Sequence, residues 1–173
     1  MRRAKAGDVD AFALLVRAHE SAARRLAHLL CGTDADDATQ EAFVKSWYSL
    51  HHYREEAPFR SWLLRVVANE AHNRRRAAGR RSHHELRLVG DRSAVTSARS
   101  PEAVAVDDER RRRLLTAVDQ LPTKLRDVVV CRHLLELSET ETASVLALPA
   151  GTVKSRLSRG LDRLRVEWGD DHD

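Results

Sequence analysis

Apolar residues recur at three- and four-residue intervals over most of the chain, as helices with one buried face require. Phe12, Leu15, Val16, His19, Ala22, Ala23, Leu26, Leu29 and Leu30 follow this spacing and predict a long helix over residues 8–30, with His19 as a core histidine. Cys31-Gly32-Thr33 ends it, and Thr33 with Asp36 carries the capping signal of a second helix reaching Leu50. Phe43, Trp47 and Leu50 share its inner side; Asp37, Glu41, Lys45 and Tyr48 lie opposite, with Gln40 and Val44 beside them. The stretch 51–58 breaks the period and predicts a loop. From Phe59 a further helix turns Phe59, Trp62, Leu63 and Val66 inward, while Arg65, Asn69, His72, Asn73 and Arg76 form a polar flank running into Arg74-Arg75-Arg76.

Residues 81–105 lose the period and predict a flexible linker. Ser100 as N-cap and Pro101 as first helical residue restart helix, which continues through Leu114, Leu115 and Val118 to Leu121-Pro122. An apolar helix through Val128, Val129 and Leu134 follows. The expected fold is therefore all-α: two small helical domains, 1–80 and 106–169, joined by the linker 81–105.

The last part of the chain has the pattern of a helix-turn-helix. Ser138-Glu139-Thr140-Glu141 fits a capping box opening a short helix through Leu146. Pro149, Ala150 and Gly151 predict a tight turn, with Thr152 as the next N-cap. In the helix that follows, Val153, Leu157, Leu161 and Leu164 share one side. Ser155, Ser158, Arg159 and Asp162 lie opposite, flanked by Lys154, Arg156 and Arg163. Such a cationic face suits a DNA major groove, or it is the solvated face of a bundle helix.

Composition narrows the choice. The chain is 42% apolar with 5% aromatics, a net charge of +4 and a pI near 9.5, a mild basic excess compatible with a nucleic-acid partner. Residues 1–80 hold fourteen Lys and Arg against ten Asp and Glu, but residues 106–173 hold twelve against thirteen. The second domain is thus not basic overall; its cations are concentrated on the last helix. Cys31 and Cys131 stand far apart among apolar neighbours and read as free buried thiols. His51-His52 has no third ligand at metal spacing, and no phosphate loop or Ser/His/Asp arrangement appears, so no catalytic residue, metal or cofactor is expected. No leader or membrane-length apolar run is present, which predicts a cytoplasmic protein without membrane insertion.

Four segments resemble the extracytoplasmic-function group of the sigma-70 family of bacterial RNA polymerase initiation factors. They are 34–47 (DADDATQEAFVKSW), 59–69 (FRSWLLRVVAN), Leu121-Pro122 with Leu125-Arg126-Asp127-Val128, and 151–157 (GTVKSRL) with Arg159. Their order and spacing cover nearly the whole chain. The resemblance implies a non-enzymatic factor that binds core RNA polymerase and directs initiation at promoter DNA. Asp36, Asp37, Gln40 and Glu41, with Val44, would dock on the polymerase clamp. Arg65, Asn69, His72, Asn73, Arg74, Arg75 and Arg76 would read and melt the −10 element. Asn69 would hold a flipped base under the loop 51–58, with arginines on the backbone. Lys154, Ser155, Arg156, Ser158, Arg159 and Arg163, with Arg132 as a weaker candidate, would meet the −35 element. An anti-sigma protein covering these surfaces is implied by family habit.

Two departures stand out: Ala38 where the family often has Leu, and Thr142 where it often has Ile. Thr142 is expected to bond back to a carbonyl one turn earlier and to pack loosely. A LuxR-type two-domain regulator would account for residues 138–165 but leave the 34–47 and 59–69 segments without a role.

Overall fold

The computed structural model describes the backbone of residues 1–85 and 102–169, and the side chains of 1–80 and 109–166. The described elements are helices: α1 (Arg2–Lys5), α2 (Val9–Cys31), α3 (Ala35–Ser49), α4 (Phe59–Glu85), α5 (Glu102–Gln120), α6 (Thr123–Val129), α7 (Glu139–Leu146) and α8 (Ala150–Gly169). Helix runs on through 81–85, where the loss of period predicted linker, and occupies 102–105, in keeping with a restart of helix after Pro101. The expected cap at Ser100 and Pro101 lies outside the described residues.

The first domain is a three-helix bundle of α2, α3 and α4, with α1 laid against α2. Asp8 caps α2 through its side chain, which accepts a hydrogen bond from the Ala11 amide at 2.9 Å. At the other end the expected Thr33 cap does not form. Gly32 (φ 62°) reverses the chain at once, and Gly32–Asp34 makes a 3₁₀ turn leading directly into α3. Asp34, the residue preceding α3, has φ −84° and ψ 10°, not the extended backbone of a capping residue, and makes no side-chain cap. The buried side of α3 is formed by small residues and is rotated from the one the aromatic residues implied: Ala35, Ala38, Thr39, Ala42 and Ser46 are all buried, while Phe43 and Trp47 are half-buried. These small side chains let α3 approach α2 and α4 closely. A cluster at one end of the bundle joins Phe12, Leu50, Tyr53, Phe59 and Leu63, with Trp47 and Trp62 packed against it. His19 belongs there too, half-buried with its ring 5.7 Å from that of Phe59.

In the second domain α6 runs straight into a π-helical turn, Val130–Leu134. The capping box forms as expected: the Glu141 amide donates to Ser138 Oγ at 3.1 Å, and the Ser138 amide donates to Glu141 Oε2 at 2.9 Å. The following turn differs from expectation. Gly151 and Thr152 lie inside the first turn of α8, and the left-handed residue is Ala147 (φ 53°), which ends α7. Pro149 fixes the entry, its carbonyl accepting from the Thr152 and Val153 amides. Thr142 is fully buried, yet its hydroxyl makes no hydrogen bond, so the expected back-bond is absent.

The two domains pack against each other. One buried cluster runs from Leu26, Leu30, Leu64, Val67 and Ala71 in the first to Val130, Cys131, Leu137 and Val145 in the second. α4 lies against α7, and the end of α2 approaches the π turn.

Candidate docking and nucleic-acid-binding surfaces

Three surfaces carry the residues singled out in the sequence. The first is the outer side of α3. Asp36, Asp37 and Gln40 are exposed, Glu41 is half-exposed, and Val44 and Tyr48 stand out as exposed apolar side chains. Asp36 and Asp37 sit in the first helical turn, where carboxylates are favoured by the helix dipole. Each also has a cationic brace from a neighbouring helix: Arg24 Nη1 donates to Asp36 Oδ1 at 2.6 Å, and Arg74 Nη1 to Asp37 Oδ2 at 3.0 Å. Lys45 lies 3.4 Å from Glu41 and donates to Glu70 at 2.7 Å; that bond to Glu70 chiefly raises the lysine pKa. The result is an acidic face with an apolar centre.

The second is α4, where seven expected residues divide three ways. Arg65, Asn69, Asn73 and Arg76 share one exposed side. Asn73 bonds Glu70, and Arg76 donates to Asn73 Oδ1 at 2.7 Å. Among the described residues Arg65 and Asn69 have no side-chain partner, which leaves their polar ends available. Arg74 turns to α3 and Asp37, as above. His72 and Arg75 turn to the second domain: His72 Nε2 is 3.0 Å from Asp127 Oδ2, and Arg75 Nη1 is 2.7 Å from Asp119 Oδ1. A helix with 3.6 residues per turn cannot present a continuous Arg74-Arg75-Arg76 run to one surface. The loop before α4 is fastened by Tyr53, whose hydroxyl donates to the Ala57 carbonyl at 2.5 Å and whose ring lies 5.2 Å from that of Trp62.

The third is α8. Val153 and Leu164 are buried, Leu157 and Leu161 half-buried, and Lys154, Ser155, Ser158, Arg159 and Arg163 exposed, with Arg156 half-exposed on the flank. Arg159 Nε donates to the Ser155 carbonyl at 3.3 Å, holding the guanidinium along the outer face. Gly160 lies against α6: a Cβ there would meet Val129 Cγ2 at 2.8 Å. Arg132 stands apart. Half-buried in the π turn, it donates to the Leu137 carbonyl just before the α7 cap and so tightens its own domain.

The family model for sigma-70 region 2 matches residues 15–81, and that for sigma-70 region 4 matches 111–164. The ECF RNA polymerase sigma-E factor of Escherichia coli K12 is 31% identical, the match covering 95% of this chain and 90% of the relative. The chain belongs to the extracytoplasmic-function sigma factors of the sigma-70 family. The sigma-E factor of Haemophilus influenzae is 30% identical over the same shares. Among solved structures, CnrH in complex with the cytosolic domain of CnrY is 26% identical, with a TM-score of 0.71 over 98% of this chain and 95% of that one. The sigma factor RpoE of Bartonella quintana, solved with the anti-sigma factor NepR, has a TM-score of 0.70 over 91% and 96%; at 22% identity this supports the fold alone. No described helix of this sigma factor is long and apolar enough to cross a membrane.

The residue that sequence reasoning passed over is Arg126, fully buried where the sigma factor's two domains meet. It donates to the Leu30 carbonyl at 3.4 Å and lies 3.4 Å from Asp119 and 3.7 Å from Asp127, while its Nε has no partner. Burial, then the neighbouring Arg75, lowers its pKa. A signal was available: Arg126-Asp127 interrupts an apolar run from Leu125 to Cys131, and a charge there needs a buried partner. Cys31 and Cys131 are free, and burial pushes their thiols to about 11 and about 12, so both stay protonated at neutral pH.

Proposed function

We propose that this sigma factor binds core RNA polymerase through the outer face of α3 and directs it to promoters with an α4 stripe and the α8 face. Asp36, Asp37, Gln40 and Glu41 supply charge to the docking face and Val44 supplies apolar contact. Arg65, Asn69, Asn73 and Arg76 read the −10 strand: Asn69 pairs with an unstacked base edge, and the arginines hold phosphates. Lys154, Ser155, Arg156, Ser158, Arg159 and Arg163 meet the −35 duplex. A bidentate arginine–guanine pair there contributes about 1–3 kcal/mol of base discrimination. Joining two weak readings in one chain makes a firm one. Arg74 acts from the docking side, through Asp37, and Arg132 supports α7 from within its domain. An anti-sigma protein holds the factor inactive, in keeping with the solved relatives captured with CnrY and NepR.

The observation carrying this reading is the separation of surfaces: an acidic, apolar-centred face on α3 and a cationic face on α8, each exposed and on different domains. Asp37→Ala with Glu41→Ala is expected to lower affinity for core polymerase about tenfold, a loss in the range measured for charge pairs at interfaces. Surface plasmon resonance with purified core enzyme reads this. Unaltered affinity would reduce the α3 carboxylates to helix-dipole residues.

A further inference from the structure

One buried carboxylate ties part of the α4 stripe together. Glu70 is only 8% exposed, a depth at which an unpaired charge is strongly disfavoured. Its two oxygens are divided between two helices. Oε2 accepts from Lys45 Nζ of α3 at 2.7 Å. Oε1 accepts from the Asn73 amide nitrogen, almost one turn further along α4, at 3.4 Å. On the other side of the same amide, Asn73 Oδ1 accepts from Arg76 Nη2 at 2.7 Å. Lys45, Glu70, Asn73 and Arg76 thus form one chain of donors and acceptors, and its last two members are exposed on the stripe. Lys45 has a second carboxylate in Glu41, 3.4 Å away, so neutralising the lysine does not by itself require Glu70.

The chain has a direction. Lysine and arginine only donate, and an ionised carboxylate only accepts. The amide between Glu70 and Arg76 therefore turns its NH2 to the carboxylate and its carbonyl to the guanidinium. The reverse orientation would set acceptor against acceptor and donor against donor. Held this way, Asn73 keeps one amide hydrogen and one oxygen lone pair unused. A donor and an acceptor side by side are what an asparagine needs to recognise a base edge.

We propose that Glu70 is a positioning residue for −10 recognition: by fixing the Asn73 amide in one orientation and tethering Arg76 through it, Glu70 sets which base edge the stripe accepts. This role rests on the −10 reading proposed above. Glu70, buried behind the stripe, acts through Asn73.

Selection from single-stranded DNA randomised over the −10 segment, on holoenzyme assembled with core polymerase, tests it. Comparing the wild type with Asn73→Ala locates the base position that depends on Asn73. Glu70→Leu, of similar volume and without either acceptor, is expected to flatten the preference at that same position about tenfold and to leave the other positions as they were. Adding Glu70→Leu to Asn73→Ala is expected to cause no further loss there. In Glu70→Gln the carbonyl goes to the charged Lys45, the stronger bond. Its NH2 then meets Asn73 and turns that amide round, so the preference at the position is expected to change. Thermal melting identifies the variant that keeps its fold. A merely structural role would lower the melting temperature and weaken binding to all sequences alike. That pattern would overturn the inference, as would a wild-type profile in both Glu70 variants or in Asn73→Ala. A wild-type holoenzyme with no base preference at all would instead overturn the −10 reading, and this role with it.

Discussion

Individual residues set how well α7 and α8 are held. Ala147 ends α7 in the left-handed region, where a Cβ costs about 1 kcal/mol and glycine costs almost nothing. Ala147→Gly is expected to stabilise the factor by about 0.5–1 kcal/mol, read from the urea midpoint. Gly160 shows the opposite balance. Alanine gains about 1 kcal/mol of helix propensity, but its Cβ would press on Val129, a stiff, buried β-branched side chain. Gly160→Ala is therefore expected to destabilise the second domain by about 1–2 kcal/mol, since overpacking of this kind costs about 1–3 kcal/mol. A midpoint equal to wild type would mean that α6 and α8 separate freely. These positions explain what the sequence left hidden. Gly151 looked like the turn residue because glycine usually is, yet the strained residue is Ala147, which composition cannot mark. The arginine run 74–76 likewise looked like one patch, but each side chain leaves α4 in a different direction.

At the scale of elements, helical period revealed most of the fold. The 3.6-residue repeat located α2, α4 and α8, and the Ser138–Glu141 capping box predicted the start of α7 correctly. Missing were the 3₁₀ turn at Gly32–Asp34 and the short α1, because both lack periodic apolar residues. Arg60, near the start of α4, bears on two titrating groups, His19 and Glu141. Burial, then Arg60, lowers the His19 pKa from its ordinary 6.5. The Ser138 amide, then the Ser138 hydroxyl, lowers that of Glu141 from 4.5, with Arg60 adding to the effect. The folded state thus disfavours protonated His19 and protonated Glu141. The contribution of His19 is complete above pH 6.5 and fades as pH falls through its lowered pKa; that of Glu141 is complete above pH 4.5 and fades below. Urea midpoints are expected to decline in two stages between pH 7.5 and 3, and His19→Phe is expected to remove the first stage. On the same helix, Asn69→Ala is expected to slow promoter melting about tenfold or more, the effect of losing a polar base-edge contact of 1–3 kcal/mol. Permanganate footprinting reads this, and polymerase affinity should stay unchanged. Equal loss of melting and affinity would move Asn69 off the promoter-reading stripe.

For the whole molecule, the order of motifs made two helical domains and the family legible, while the contact between domains was not. Periodicity reports which face of a helix is buried but not what buries it. The α4 flank of Ser61, Leu64, Ala68 and Ala71 could have been covered from within the first domain; the structure places the second domain there. Arg126 and Asp127, charged residues within an apolar run, were the positions that pointed to such a partner. If one chain couples an enzyme-docking face to two promoter-reading helices, the choice of start site must depend on it. Run-off transcription with purified core polymerase on fragmented genomic DNA tests it most directly. Discrete transcripts with fixed start sites are expected, dependent on adding this chain and lost with Arg159→Ala combined with Asn69→Ala. Transcript patterns identical with and without the chain would contradict it.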